Sequence, residues 1–377
     1  MKIKAAILYE IGKPRPYDKT NPLQIEDVYL TSPGPEEVLV KIYAAGLCHS
    51  DLSVIDGNRP RPVPMVLGHE AAGEVVECGP GVVNLKPGDH VVFSFVPSCG
   101  HCMACMTGRP ALCEPGALAN AKGTLLNGST RIKNKNLHEL NHHLGVSAFA
   151  EYAVVSKHSV VKVPSEIPYE IAALFGCAVL TGVGAVVNTS RLSLGQTILI
   201  IGLGGVGFAA LLGALSSGAG KVIAADINPE KRKKANALGA HVVIDPSDPN
   251  AVERVRTEYT MDGVDIAVEF AGAVPAIEFA FACTRRGGET VIAGLPHPSK
   301  MLGISPIVMV GEERTLKGSY LGSCIPPRDI PAFISLYQSG RLPIDQLLSH
   351  RLKLEEINIG FERLANGEAI RQVIGFE

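Results

Sequence analysis

Hydrophobic and polar positions change rhythm once along this chain. Up to about residue 165, short apolar runs such as 37–43, 73–77 and 90–95 are separated by Pro-Gly, Gly-Pro and Pro-Gly-Asp turns, as in a β-rich domain. From about 197, apolar runs at 197–201, 221–227, 241–244, 264–270, 289–293 and 315–320 alternate with segments that mostly have helical spacing. Six such strands predict an α/β fold with a doubly wound parallel sheet. Beyond Gly322 the pattern predicts helices near 330–339 and 354–365 and a last strand over 371–376.

Length and composition narrow this picture. A chain of 377 residues exceeds one ordinary core, so two domains are expected. With 46 % apolar residues, 19 % charged residues and a net charge of −2, the chain is globular and has no excess of basic charge for nucleic acid. Its first residues carry lysines and no long apolar segment, so no secretion signal is read. Residues 198–215 contain no charge and reach the length of a membrane span. The cluster Gly202, Gly204, Gly205 and Gly207 breaks that run into a buried strand, a turn and a helix start, and no membrane partner is expected. Four of the nine cysteines crowd between Cys99 and Cys113, which suggests metal rather than disulfides and a reducing, cytoplasmic setting.

The glycine cluster carries the first chemistry. Gly202-Leu-Gly204-Gly205-Val206-Gly207 lies between a strand and a helix, where glycines allow a tight turn and close approach of a pyrophosphate to the helix N-terminus. Asp226 ends the second strand 19 residues beyond Gly207, where a carboxylate receives ribose hydroxyls and repels a 2′-phosphate. No arginine follows directly in Asp226-Ile-Asn-Pro, so NAD is expected rather than NADP.

Cys99, Cys102, Cys105 and Cys113 supply enough thiolates to close a tetrahedral zinc site with no open position, which would pin a glycine- and proline-rich lobe. An iron–sulfur cluster fits less well, because seven residues separate Cys105 from Cys113 and no proline follows directly. His101 lies inside the cluster, but four thiolates already fill the shell.

Cys48-His49-Ser50-Asp51, Gly68-His69-Glu70 and Gly176-Cys177 are far apart, and no spacing rule gathers them. Gly68-His69-Glu70-x2-Gly73-x5-Gly79-x2-Val82 resembles the signature of zinc-containing medium-chain alcohol dehydrogenases. The likeness runs along nearly the whole chain, including the cysteine lobe and the Gly202 turn. A stretch containing Gly123-Thr124, Ser129-Thr130-Arg131 and His142-His143-Leu144 resembles the long loop of the liver-type, dimeric branch. The resemblance implies a GroES-like β-rich catalytic domain over 1–178 and 322–377 and a Rossmann dinucleotide-binding domain over 179–321. It further implies a homodimer with two zinc ions per chain, using NAD to oxidise an alcohol reversibly to an aldehyde or ketone.

Residue by residue, the likeness makes Cys48, His69 and Cys177 the catalytic zinc ligands, Ser50 the hydroxyl that takes the alcohol proton, Asp51 the carboxylate that orients His69, and Glu70 an acid near the metal. Cofactor contacts implied in the same way are His49, Thr181, Lys231 and Arg371, beside the Gly202 turn and Asp226. Arg59, Phe95, Leu118 and His143 fall at substrate-pocket positions, and Arg59, if it faces inward, makes an acidic or polar substrate plausible. Ser53 stands where the family's proton relay usually ends in histidine, which puts the proton's route to solvent in question. Ala117 replaces the arginine of the glutathione-dependent formaldehyde branch, which is disfavoured. A zinc-free quinone reductase would lack all seven metal-site residues, and a catalytically silent NAD-binding protein would not need Ser50 and an intact ligand set.

Overall fold

Short β-branched runs bounded by glycine and proline turns have no helical stripe to bury, and in the first unit of this protein they pair into two sheets. The structure is a computed structural model and describes residues 1–376. It divides into two compact units. The first contains Met1–Cys177, Ile325–Ile334 and the stretch from Leu348 onward, and the second contains Ala178–Cys324 and Ser335–Leu347.

In the first unit, strands Lys2–Leu8, Leu23–Leu30, Ile132–Lys133, Glu139–His142 and Met65–Val66 close a small barrel. Its core includes Ile7, Val28, Leu30, Val66, Ile132 and Leu140. A second sheet runs in the order Val160–Lys162, His90–Phe93, Glu70–Cys78, Glu37–Gly46, Arg371–Gly375 and Leu348–Leu352, with Tyr152–Ser156 also paired to Glu37–Gly46. Glu37 is buried and ties the long loop to this sheet. It accepts hydrogen bonds from Arg131 Nε (2.8 Å), Asn127 Nδ2 (2.8 Å), Ser129 Oγ (3.2 Å) and the Gly34 amide (2.7 Å). With its lone pairs filled, a carboxylate can stay ionised away from water.

The second unit holds six parallel strands in the order Val242–Ile244, Lys221–Ala225, Thr197–Ile201, Val264–Glu269, Thr284–Ile292 and Thr315–Gly318. That is the doubly wound order, in which successive strands are added outward on one side of the first strand and then on the other. Buried Leu199, Ile201, Ile223, Ala225 and Ala267 belong to one of its core clusters. Residues 198–215 form the end of one strand and the helix Gly205–Ser216. Among the described residues one helical segment, Tyr169–Thr189, is long and apolar enough to cross a membrane, and most of it is buried inside the protein.

One boundary differs from the expected one. Residues 335–347, which the resemblance assigns to the first domain, belong to the second unit. Their turn Ile344–Leu347 packs on helix Gly205–Ser216 and buries Ile344 and Leu347. A helix that is apolar nearly all round needs cover on more than its sheet side.

His142 sits wholly inside the first unit, its Nε2 accepting the Arg131 amide at 3.1 Å. Burial lowers its pKa to about 4. The unfolded chain therefore binds a proton that the folded one refuses, and stability falls as pH drops from roughly 6.5 toward 4. His142→Gln should lessen the loss of thermal stability between about pH 7 and 5, by an amount on the order of 1–3 kcal/mol. Melting curves at both pH values with equal slopes for the two proteins would contradict this.

Candidate active site

Antiparallel register gathers the separated motifs. Strand Glu37–Gly46 ends with Gly46 opposite Glu70 on one side and opposite Val373 on the other. The chain leaving toward Cys48 therefore runs beside the chain entering from His69, and Arg371 precedes Val373 at the same edge. Gly46 has no room for a Cβ, because the Glu70 carboxylate occupies that space. Gly68, at φ +94°, lies against the Phe149 amide, where a side chain would collide at 2.5 Å. Cys177 arrives from another direction, on the π-helical turn Phe175–Val179. Gly176 lets that turn touch the Phe93 carbonyl.

Cys48, His69 and Cys177 are all buried, and their ligand atoms lie within 4.8 Å of one another. Asp51, in the first turn of helix His49–Ile55, organises them. Its Oδ2 accepts the Cys48 amide at 3.2 Å, and its Oδ1 accepts the Gly68 amide at 3.2 Å and lies 3.0 Å from His69 Nδ1. With Nδ1 on the carboxylate, neutral His69 would present its lone pair at Nε2, and that nitrogen is buried without a hydrogen-bond partner. A buried orphan acceptor beside two thiols fits a thiophilic metal such as zinc. The Cys177 contact and His69 pull the Cys48 thiol well below its usual range, while the same contact and burial push Cys177 up. Glu70 is fully buried, with Arg371 Nη1 3.5 Å from its Oε2, and burial raises its pKa to about 7.

In the lobe, the sulfurs of Cys99, Cys102, Cys105 and Cys113 also lie within 4.8 Å of one another. Backbone amides point at them. Cys99 N–H donates to Cys113 Sγ at 3.2 Å and Cys102 N–H to Cys99 Sγ at 3.3 Å. His101 is exposed, with Nδ1 2.9 Å from the Cys99 carbonyl, and lies outside the sulfur cluster.

In the second unit, Gly202 takes φ +87° and Gly207 packs on the Gly202 carbonyl, where no side chain fits. Gly204 has open space where its Cβ would be and leaves helix Gly205–Ser216 without a side-chain cap, so the Gly205 and Val206 amides lie in the uncapped first turn. Asp226 Oδ2 accepts the Leu203 amide at 2.7 Å and its Oδ1 accepts Asn228 at 2.8 Å, which ties the second strand to this turn. Thr181 and Lys231 are half-buried in the same unit.

Residues 34–165 match the alcohol dehydrogenase GroES-like domain and residues 205–339 the zinc-binding dehydrogenase domain. The provisionally named alcohol dehydrogenase D of Mycobacterium tuberculosis is 41 % identical over 99 % of this chain and 100 % of its own. The chain belongs to the zinc-binding medium-chain alcohol dehydrogenase family. Benzyl alcohol dehydrogenase from Acinetobacter calcoaceticus superposes with a TM-score of 0.93 at 31 % identity, covering 100 % of both chains. A provisionally named zinc-binding dehydrogenase from Sinorhizobium meliloti 1021, bound to NADP, does so with 0.81 at 26 % identity, again over 100 % of both.

This chain is an oxidoreductase of the alcohol dehydrogenase type. Leu118, expected to line the pocket, is 62 % exposed, because the buried face of helix Glu114–Lys122 is carried by Gly116, Ala119 and Asn120. His143 is buried, its Nδ1 3.2 Å from the Asp51 Oδ1 that also faces His69, and its ring meets the His69 ring edge-on at 5.6 Å. Phe95 meets His69 in the same way at 5.2 Å. Arg371 lies beside Glu70 and donates to the Leu47 carbonyl at 3.4 Å, while His49 is exposed and Arg59 half-buried. Sequence reading missed Arg232. Six residues past Asp226, it turns back to donate to the Asp226 and Ile227 carbonyls at 2.7 and 2.9 Å and pairs with Asp245 at 3.0 Å. The only signal for it was one more basic residue in a basic helix.

Gly176→Ala should drive a methyl group into the Phe93 carbonyl, costing about 1–3 kcal/mol and displacing Cys177. Melting and metal analysis are expected to show a less stable protein with less metal per chain. Unchanged metal content would mean that the turn has slack.

Proposed function

We propose that this dehydrogenase passes a hydride between a primary or secondary alcohol and NAD, giving an aldehyde or ketone and NADH. It would hold two zinc ions per chain, one at Cys48, His69 and Cys177 and one at the four lobe cysteines. The observation that carries this reading is the buried, unpartnered Nε2 of His69 between two thiols, with Asp51 fixing the other ring nitrogen. Bound there, zinc would supply the Lewis acidity that makes an alcohol hydroxyl acidic near neutral pH.

The chain's own residues supply the rest. Cys48 and Cys177 as thiolates offset the metal's two charges, and Asp51 keeps His69 in the tautomer that presents Nε2. Ser50, half-buried one residue before Asp51, takes the alcohol proton. Ser53 does not titrate near neutral pH, and its hydroxyl already donates to the His49 carbonyl at 2.8 Å, so the proton leaves through water or His49. Glu70 balances the buried Arg371 charge beside the ligands. The Gly205 and Val206 amides would receive the pyrophosphate, and the lone pairs of Asp226 that its two amide bonds leave free would receive ribose hydroxyls. Similarity to a benzyl alcohol dehydrogenase makes benzyl alcohol the first substrate to assay. A homodimer in a reducing, cytoplasmic compartment completes the reading.

Metal analysis with an NAD-linked alcohol assay tests it: two zincs per chain and alcohol-dependent NADH formation are expected, and no turnover by zinc-replete protein would reject it. Cys177→Ser should abolish turnover, at least about 100-fold, in a folded protein, whereas Cys102→Ser should first lower the melting temperature. Equal stability of the two variants would remove the division into catalytic and structural sites. Asp226→Gly should lower the NAD:NADP efficiency ratio about tenfold or more. An unmoved ratio would shift cofactor choice to another residue, with Arg232 the first to examine.

A further inference from the structure

Glu269 ends strand Val264–Glu269 at the carboxyl edge of the parallel sheet, is fully buried, and has no part in the reaction described above. Its strand neighbours in register are Ile201 and Ile292. The turns that pack on it, 270–273 and 293–295, contain only Phe, Ala, Gly and Leu, so no titratable side chain from these elements faces it. Asp226 lies one strand beyond Ile201, its carboxylate engaged by the Leu203 and Asn228 amides.

Oε1 of Glu269 accepts the Gly272 amide at 2.6 Å, while Oε2 is buried without a hydrogen bond of ordinary geometry. The backbone carbonyl of Glu269 accepts the Ala293 and Gly294 amides at 2.9 and 2.8 Å. Gly272 takes φ +67° and abuts the Leu295 backbone, and a Cβ on Gly294 would strike Glu269 Oε2 at 2.7 Å. Gly202, which opens the dinucleotide turn, leans on the same structure, with the Ala271 amide nitrogen 2.6 Å from where its Cβ would stand. Backbone contact thus runs from the Glu269 carboxylate through 271–272 to Gly202. Burial raises the carboxyl pKa to about 7, with the Gly272, Ala271 and Ala273 amides partly offsetting it.

We propose that Glu269 is a positioning residue for the dinucleotide turn. Ionised, its carboxylate holds the 271–273 amides and braces Gly202; neutral, it releases them and weakens binding of a nicotinamide dinucleotide. This rests on the reading of the Gly202 turn as the dinucleotide site. The sign follows from linkage. A cofactor that prefers the ionised form is held fully above the carboxyl pKa of the cofactor-free protein, about 7, and progressively less as pH falls below it.

Fluorescence titration of the zinc-replete protein with NADH, and calorimetric titration with ADP-ribose, which lacks the nicotinamide, test the proposal in wild type and Glu269→Gln. Wild type should lose at least about threefold in affinity for both ligands between about pH 8 and 6, and the variant should be weak and flat over that range. Parallel profiles in the two proteins, or wild-type affinity that rises on acidification, would overturn the proposal while leaving the site intact. Failure of wild type to bind either ligand at any pH would instead overturn the reading of the Gly202 turn, and the proposal with it. If Glu269→Gln does not fold, hydrogen exchange in wild type decides: 270–273 should lose protection at about pH 6 relative to pH 8 after correction for intrinsic rate, and unchanged protection would overturn the proposal.

Discussion

A carboxylate shut away from water must be surrounded by donors, and Asp51 meets that requirement by drawing the first unit's site together. Its oxygens take the amide that leads into Cys48, the amide of Gly68 and the Nδ1 of His69, with His143 at the same oxygen. Burial alone would raise its pKa, but the two histidines lower it. These partners come from three segments, at 48, at 68–69 and at 143, so satisfying one charge fixes three stretches of backbone at once. An unpaired buried carboxylate would cost several kcal/mol, which is why the arrangement has little freedom.

That arrangement needs backbones closer together than side chains allow. Gly46 beside Glu70, Gly68 beside Phe149 and Gly176 beside Phe93 are the places where the first unit relies on a missing Cβ. The second unit repeats the device at Gly202, Gly207, Gly272 and Gly294, where three turns at the carboxyl edge of the sheet come into backbone contact. In both units the glycines remove obstruction and a buried carboxylate supplies the attraction: Asp51 in one, Glu269 in the other.

How much could be read from the chain depended on the range of the interaction. The Gly202 turn and the cysteine lobe occupy six and fifteen consecutive residues, and local geometry alone brings their parts near one another. The doubly wound parallel sheet followed from the alternation of β and helical segments. Long-range partners could not be read in this way. Nothing in the spacing shows that His143 shares the oxygen that faces His69, that Arg232 bends back to the Asp226 carbonyl, or that Leu118 points to solvent. The assignment of 335–347 to the second unit depends on an uncovered apolar side of helix Gly205–Ser216, which composition shows but does not pair.

By itself, the sequence determined the fold class, the two short-range motifs and the family, because hydrophobic period, turn residues and closely spaced ligands act through the nearest few peptide units. Only the tertiary structure decided that Cys48, His69 and Cys177 meet, and that Glu269 lies buried beneath the turn that opens at Gly202. Those outcomes depend on strand register and on which polar atoms lose water. Burial is a property of everything packed around a residue, so no stretch of chain carries it alone.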